Sequence, residues 1–202
     1  MMHRVVLTCE GGLRARHFLR CFDETGRELW SFRLAQPRAM TQAGGRVFVA
    51  EGNRVVALDE ETGRPLWKTM AGPFGAETLL ADREAVYAFA LGDHSTMAVG
   101  PRGTSGHLTA LSALTGGRLW QHRFVPGLRE ISLAEDRLFA VQYQGASHGY
   151  RRLEIDRRTG RGVSQWFELS NGTMVAVATP ERAIAQSSSA STTRLRPLRL
   201  AR

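Results

Sequence analysis

Short runs of alternating apolar and polar residues, separated by Gly, Asn and Asp, follow one another along this chain. In the stretch RVFVAEGNRVVALDEETGRPLWKTM the alternation predicts β-strands, with residues 51–53 as a tight hairpin connection. The strands predicted around this stretch cover residues 38–43, 46–50, 54–59 and 65–70. No apolar run approaches the roughly 18 residues that a membrane-spanning helix requires.

One motif recurs at fixed places in this pattern, and it combines an Asp, a Thr-Gly pair and a Trp. All four tryptophans of the chain follow such a Thr-Gly pair. The motif residues are Asp23, Gly26 and Trp30, then Asp59, Thr62, Gly63 and Trp67, then Thr115, Gly116 and Trp120, and finally Asp156, Thr159, Gly160 and Trp166. Five short apolar runs, at 4–6, 46–48, 85–87, 137–139 and 182–184, form a second landmark. Together they indicate five repeats.

Each motif has a physical explanation as a tight turn between two strands. Asp59 can accept hydrogen bonds from the amides that follow it, Thr62 can do the same, and Gly63 can adopt a positive φ. Pro65 then falls inside the next strand, where its missing amide donor suits the edge of a sheet.

We therefore predict an all-β fold, a β-propeller of about five four-stranded antiparallel blades, as one domain over residues 1–202. The repeats cover about 1–35, 36–72, 73–125, 126–170 and 171–202; the first lacks its innermost strand and the last its outermost strand. An immunoglobulin-like sandwich is the alternative, but its turns would not repeat one motif four times.

The pattern Ala-x-Asp-x-x-Thr-Gly-x-x-x-Trp, complete from Ala57 to Trp67, resembles the repeat of quinoprotein (PQQ)-like β-propellers. That family includes PQQ-dependent alcohol dehydrogenases and the non-enzymatic outer-membrane assembly lipoprotein of Gram-negative bacteria. The resemblance implies that each Trp packs against the turn of the next blade. Ser112 departs from the pattern where Asp is expected, the first turn is one residue shorter, and two extra residues precede Trp166.

The blade number also departs from the seven or eight that are usual in the family. Three arrangements are compatible with the sequence: a small closed ring, an open arc that another chain completes, and a shortened relative of a longer protein.

The sequence favours a non-enzymatic member of the family and predicts no cofactor, no metal and no catalytic residue. The resemblance implies that a PQQ enzyme would carry a vicinal cysteine pair, whereas Cys9 and Cys21 lie far apart. The six histidines are spread singly, without metal-ligand spacing. A degenerate quinoprotein enzyme is the most distant alternative.

Connections on the face opposite the Thr-Gly turns are predicted to bind the partner, because loops on a rigid scaffold usually carry binding. The candidate residues are Arg14, Arg16, Phe74, His94, Arg102, Arg129, His148, Tyr150, Arg151 and Arg152. Basic residues outnumber acidic ones by 27 to 19, which favours an acidic peptide or protein as partner. The sequence predicts a non-catalytic scaffold, with possible homo-oligomers if the ring is incomplete.

The C-terminus supports a second hypothesis. Four arginines stud RLRPLRLAR after a Ser-rich stretch, as in a basic tail that binds nucleic acid, although residues 193–200 also alternate as a strand would. Nothing in the first twelve residues resembles a signal peptide, so a cytoplasmic location is expected. The hairpin centred near Leu13 predicts Cys9 opposite Phe18, with both cysteines buried and free.

Overall fold

The computed structural model describes residues 4–10, 16–73, 75–90, 106–124, 128–134, 137–143, 150–167, 175–179 and 182–185. These residues form the strands β1 (Arg4–Glu10), β2 (Arg16–Phe22), β3 (Glu28–Leu34), β4 (Pro37–Ala43), β5 (Arg46–Glu51), β6 (Arg54–Asp59), β7 (Pro65–Met70), β8 (Thr78–Ala81), β9 (Ala85–Ala90), β10 (Gly106–Ser112), β11 (Arg118–Phe124), β12 (Leu128–Ala134), β13 (Arg137–Tyr143), β14 (Tyr150–Asp156), β15 (Gly162–Phe167), β16 (Val175–Thr179) and β17 (Arg182–Ala185). Within these ranges, no helix is long and apolar enough to cross a membrane.

The strands form antiparallel sheets in which sequence neighbours pair. The first sheet has the order β1-β2-β3, and three four-stranded sheets follow with the orders β4-β5-β6-β7, β8-β9-β10-β11 and β12-β13-β14-β15. A two-stranded sheet, β16-β17, is the last that the described residues form. The predicted all-β fold of four-stranded blades with incomplete first and last members is confirmed, and the four strands predicted for the second repeat differ from β4–β7 by one residue at most.

Contacts divide the chain into two compact units. The first comprises Met1–Asp93 with His107–His122, and the second comprises His94–Gly106 with Arg123–Arg202. The first unit contains the first three sheets and the second contains the last two.

In the first unit, the second sheet buries both of its faces. Val47 and Val49 point to the first sheet, where they join Leu19 and Cys21 in one apolar cluster. Phe48 and its alternate neighbours belong to a different cluster, shared with the third sheet. Because successive side chains of a strand point to opposite faces, the buried run RVFVAE packs against two neighbours at once.

The hairpin of the first sheet differs from the sequence prediction. Cys9 pairs with His17, and Thr8 is the residue opposite Phe18, so the register is one residue away from the predicted one. Cys21 is buried as expected, whereas Cys9 is exposed near the end of β1; both thiols are free.

The second unit contains the fourth sheet, whose central strands β13 and β14 pair over seven residues. Leu138, Phe139 and Ile155 are almost fully buried in this unit. The hairpin β16-β17 also belongs to it, and β16 contacts β12.

Candidate functional site

The Asp-x-x-Thr-Gly segments are closed turns in which the Asp carboxylate is the central acceptor. The Thr62 amide and hydroxyl both donate to Oδ1 of Asp59, at 2.9 and 2.7 Å, and the Gly63 amide donates to the Asp59 carbonyl at 2.9 Å. Gly63 has a φ of 69°, which glycine adopts without a steric penalty. The fourth turn repeats this pattern around Asp156.

Two turns vary the pattern and keep the hydrogen bond from the Thr amide to the acceptor side chain. In the first turn, one residue shorter, Thr25 donates its amide and hydroxyl to Oδ1 of Asp23, at 2.9 and 2.6 Å. In the third turn Ser112 takes the place of Asp, and the amide of Thr115 donates to its hydroxyl oxygen at 3.3 Å. That longer bond to a neutral acceptor is weaker than a bond to a carboxylate.

The turn carboxylates make the stability of the protein depend on pH. The hydroxyl of Thr62 holds the pKa of Asp59 below its ordinary value, the hydroxyl of Thr25 does so for Asp23, and the amide of Thr159 does so for Asp156. A lowered pKa in the folded state contributes stability above the unfolded pKa of about 3.9, and this stability is lost as pH falls through the folded pKa.

We expect the thermal midpoint to fall as the pH is lowered from about 4 toward 2. The variant Asp59→Asn keeps an acceptor oxygen but does not titrate, so its midpoint should depend less on pH in this range. Ser112→Asp supplies a fourth titrating turn and should steepen the dependence. Thermal unfolding followed by circular dichroism checks this, and identical slopes for all three proteins would contradict it.

The tryptophans of the first two sheets pack against the turns of the sheets that follow them. Trp30 donates its indole NH to the carbonyl of Glu60 at 3.0 Å, and Trp67 donates to the carbonyl of Ala113 at 3.1 Å. The rings cover the turn glycines so closely that a Cβ atom on Gly63 would lie 2.5 Å from Trp30 Cδ2, and one on Gly116 would lie 2.7 Å from Trp67 Cδ2. The motif therefore joins successive sheets.

The Trp120 ring packs on its own sheet as the Trp67 ring does, whose centre lies 5.8 Å from that of Phe48, whereas Trp166 has a different register. The Trp120 ring lies 6.0 Å from the Tyr87 ring and 5.5 Å from the His122 ring, both on its own sheet. Trp166 pairs with Arg151, five positions before the turn aspartate of its sheet, whereas Trp30 and Trp67 pair with the residues two positions before theirs. The two extra residues before Trp166 thus move it along the edge strand, away from the equivalent register.

The connections of the first unit gather at two ends of its sheets. The turn end comprises 44–45, 59–64, 82–84 and 112–117, tied together by the amides of Glu60 and Ala113, which donate to the carbonyls of Gly45 and Glu84. The loop end comprises 35–36, 52–53, 71–73 and 75–77, where Gly52 and Ala71 donate to the carbonyls of Gln36 and Asn53. The two ends are opposite ends of the same strands.

The structure places some of the predicted binding residues in strands. Arg16 is the exposed first residue of β2, Arg129 belongs to β12, and Tyr150, Arg151 and Arg152 belong to β14, so these five are not loop residues as the sequence predicted. The Arg152 guanidinium lies 4.5 Å from the centre of the Phe139 ring, in a cation–π contact within the fourth sheet. The remaining candidates, Arg14, Phe74, His94, Arg102 and His148, and the C-terminal tail lie outside the described residues.

The structure also brings exposed arginines to the loop end that the sequence reasoning missed. Arg38 follows the connection 35–36, Arg54 follows the connection 52–53, and Arg33 is next to the last residue of β3. Arg38 lies close to a neighbouring connection, because a Cβ on Gly75 would be 3.0 Å from its Nε. Their position directly beside turn residues is the signal that could have identified them.

The three turn carboxylates, Asp23, Asp59 and Asp156, do not fit the calcium and quinone site of a PQQ enzyme, and Asp93 lies outside the described residues. Oδ1 of Asp23, Asp59 and Asp156 already accepts the hydrogen bonds of its own turn, and each turn belongs to a different sheet. Throughout the described part of the chain, no three His, Cys, Asp or Glu residues are grouped so that they could hold a metal ion.

One family model, described as outer membrane protein assembly factor BamB, matches residues 15–133. A search of the curated proteins finds no match.

Solved structures show the same fold at low identity. The crystal structure of BamB from Moraxella catarrhalis is 19% identical, with a TM-score of 0.52, over 75% of this chain and 49% of that one. The quinohemoprotein alcohol dehydrogenase ADHIIG from Pseudomonas putida is 13% identical, with a TM-score of 0.54, over 74% and 32% of the two chains. The computationally designed protein Ika8 is 14% identical, with a TM-score of 0.53, over 84% and 54%. The chain thus spans about half the length of the Moraxella protein.

The family model covers more than half of the chain, and the sheets and their turns have the arrangement that the repeat predicts. The chain belongs to the family described as outer membrane protein assembly factor BamB, within the PQQ-like β-propellers.

Proposed function

We propose that this chain is a non-catalytic scaffold that binds an acidic segment of another protein through the loop end. The observation that carries the proposal is the difference between the two ends of the first unit. At the turn end, the Asp and Thr side chains close the turns, and Trp30 and Trp67 join successive sheets. At the loop end, the arginines are exposed on a frame that those contacts make rigid.

The charges of the loop end favour an acidic partner. Arg16, Arg33, Arg38 and Arg54 are all exposed there. The carboxylate of Glu51 is engaged by the ammonium of Lys68 and by the amide of Ala35, and that of Glu10 by Arg20. These two acids are paired within the chain and Glu77 is a third carboxylate of the loop end, so the four exposed guanidinium groups leave a net positive charge for a partner to meet. Guanidinium groups bind carboxylates through paired hydrogen bonds.

The family also supports a role in bringing proteins together. Its description names an assembly factor, and the Moraxella relative carries the same name. The turn carboxylates Asp23, Asp59 and Asp156 accept the hydrogen bonds of their own turns, which agrees with a binding function rather than a catalytic one.

Binding of a fluorescent hexaglutamate peptide tests the proposal. The variant Arg38→Glu/Arg54→Glu should weaken binding by about tenfold or more, because like charges now face the probe. The control variant Arg64→Glu/Arg83→Glu changes two exposed arginines at the turn end and alters the net charge equally. It should leave affinity within about twofold, since charges at the far end are largely screened at physiological salt. Equal losses in both variants would show that only net charge matters and would overturn the loop-end proposal.

A further inference from the structure

The first turn borders an open groove at the turn end of the first sheet. The groove has a volume of about 730 Å³ and is lined by residues that include Arg4, Val6, Phe22, Asp23, Gly26 and Gln42. It lies within the first unit, next to the turn that corresponds to the two turns covered by tryptophan.

The turn itself has the same construction as the occupied ones. Gly26 has a φ of 85°, its amide donates to the Asp23 carbonyl at 3.0 Å, and the Asp23 amide donates to the Arg27 carbonyl at 3.0 Å. The surroundings of the glycine differ: among the described residues, no atom comes within 4 Å of a Cβ placed on Gly26. At Gly63 and Gly116 that space holds an indole ring.

The sheet face beside the groove is more polar than its equivalents. In the second sheet, Val47 pairs with Leu58 just before the turn, and both are fully buried against the first sheet. The matching pair in the first sheet is Arg4 with Phe22, of which Arg4 is exposed and Phe22 is half-buried.

The next pair on this face is also more polar than its equivalent. Val6 pairs with Arg20 in the first sheet, where the second sheet has Val49 paired with Val56. Arg20 forms ion pairs with Glu10 and Glu28, and its guanidinium lies 5.3 Å from the centre of the Phe18 ring. The charged groups of this face can remain hydrated when the groove is empty, which suits a partner that binds reversibly.

We infer that this groove binds a tryptophan side chain carried on an extended segment of a partner protein. The occupant is assigned by continuity with the two established interfaces, because the turns at Gly63 and Gly116 each receive an indole from the edge strand of the preceding sheet. Repetition of one turn geometry creates the same docking surface for the same side chain.

The tryptophans of a second copy are poorer candidates for this role. Trp30 and Trp67 are held at the turns of the following sheets, and Trp120 contacts two rings of its own sheet. Trp166 lies outside the docking register. The assignment to a partner therefore rests on where this chain places its own indoles, and it does not depend on the loop-end proposal.

A peptide taken from the chain itself provides the probe. The segment Glu28–Leu34, ELWSFRL, carries the Trp that docks on the second turn, and the control peptide replaces its Trp with Ala. Binding of the labelled peptides to the full chain is measured by fluorescence anisotropy, and the Gly26 amide is followed by NMR. We expect the Trp peptide to bind and to shift the Gly26 resonance, and the Ala peptide to bind at least about tenfold more weakly.

Gly26→Ala is the decisive variant, because its Cβ would occupy the space that the indole needs. Gly45→Ala is the matched control, with a φ of 72° and open space around a Cβ, so it introduces a similar backbone strain away from the groove. Gly26→Ala should weaken binding of the Trp peptide at least about tenfold, and Gly45→Ala should weaken it by less than about twofold. The two variants should have similar thermal midpoints.

Two results would overturn the inference. One is equal binding of the Trp peptide to Gly26→Ala and wild type, or no binding to either. The other is self-association of the chain, seen by sedimentation velocity, that Gly26→Ala abolishes, since this would assign the groove to a second copy. Hexaglutamate binding should be the same in Gly26→Ala and wild type, so failure of this inference is distinguishable from failure of the proposed function.

Discussion

Substitution of Gly63 by alanine is expected to lower the free energy of unfolding by about 2–5 kcal/mol, the sum of backbone strain and overpacking. The added Cβ would lie 2.5 Å from Trp30 Cδ2 and 2.7 Å from Cε3, so the indole must move. Since the ring is also held by its hydrogen bond to the Glu60 carbonyl, it has little freedom to do so. Denaturant unfolding followed by far-UV circular dichroism measures the effect.

Gly45→Ala separates the two contributions. Its φ of 72° is close to the 69° of Gly63, but no described atom lies within 4 Å of its Cβ, so only the backbone strain of about 1–2 kcal/mol remains. In the Trp30→Ala background, Gly63→Ala should lower the free energy of unfolding by less than it does in the wild type. Equal costs at Gly63 and Gly45 would contradict the packing explanation.

Loss of the Trp67 ring is expected to be at least as damaging. Trp67 packs against the cluster between the second and third sheets, with its ring 5.8 Å from that of Phe48, and it donates to the Ala113 carbonyl. Trp67→Ala should lower the free energy of unfolding by about 3–5 kcal/mol. Trp67→Phe keeps much of the burial but leaves that carbonyl without the indole donor, at a cost of about 1–3 kcal/mol.

Leu66→Ala is the control on the same strand. Leu66 is 46% exposed and points to the opposite face of β7, so its truncation should change the free energy of unfolding by no more than about 0.5 kcal/mol. If Trp67→Ala were as mild as Leu66→Ala, the indole would not be what joins these sheets.

Local chemistry explains why the fold could be predicted from the sequence. The turn at Asp59 needs an acceptor, a hydroxyl and a glycine in a fixed order, and the strands around it alternate with the period of a sheet. Both signals lie within a few residues, so they can be read without knowledge of tertiary contacts. The strand bounds of the second repeat followed from them within one residue.

Features that depend on pairing between strands could not be read in this way. The Cys9 register depends on how the connection 11–15 closes, and a shift of one residue is not visible in an alternating pattern. The register of Trp166 depends on how β15 accommodates two extra residues. The sequence predicts Arg152 in a loop, yet β14 begins at Tyr150 and the Arg152 guanidinium stacks on Phe139.

The candidate surfaces were predicted only in part. The sequence indicated that the loop end would carry arginines, but Arg38 and Arg54 were missed because each is the first or second residue of a strand rather than part of a loop. The groove at Gly26 could not be predicted, because the sequence of a turn does not indicate whether an indole covers its glycine.

The pairing of a tryptophan in one repeat with a glycine in the next has an evolutionary consequence. The second repeat gives its indole to the third and receives one from the first, so insertion or deletion of a whole repeat that carries both partners restores such pairs at once. A point substitution at either partner breaks a pair that no change within the same repeat can mend. Lineages of such proteins should therefore vary more readily in the number of repeats than in the residues that join them.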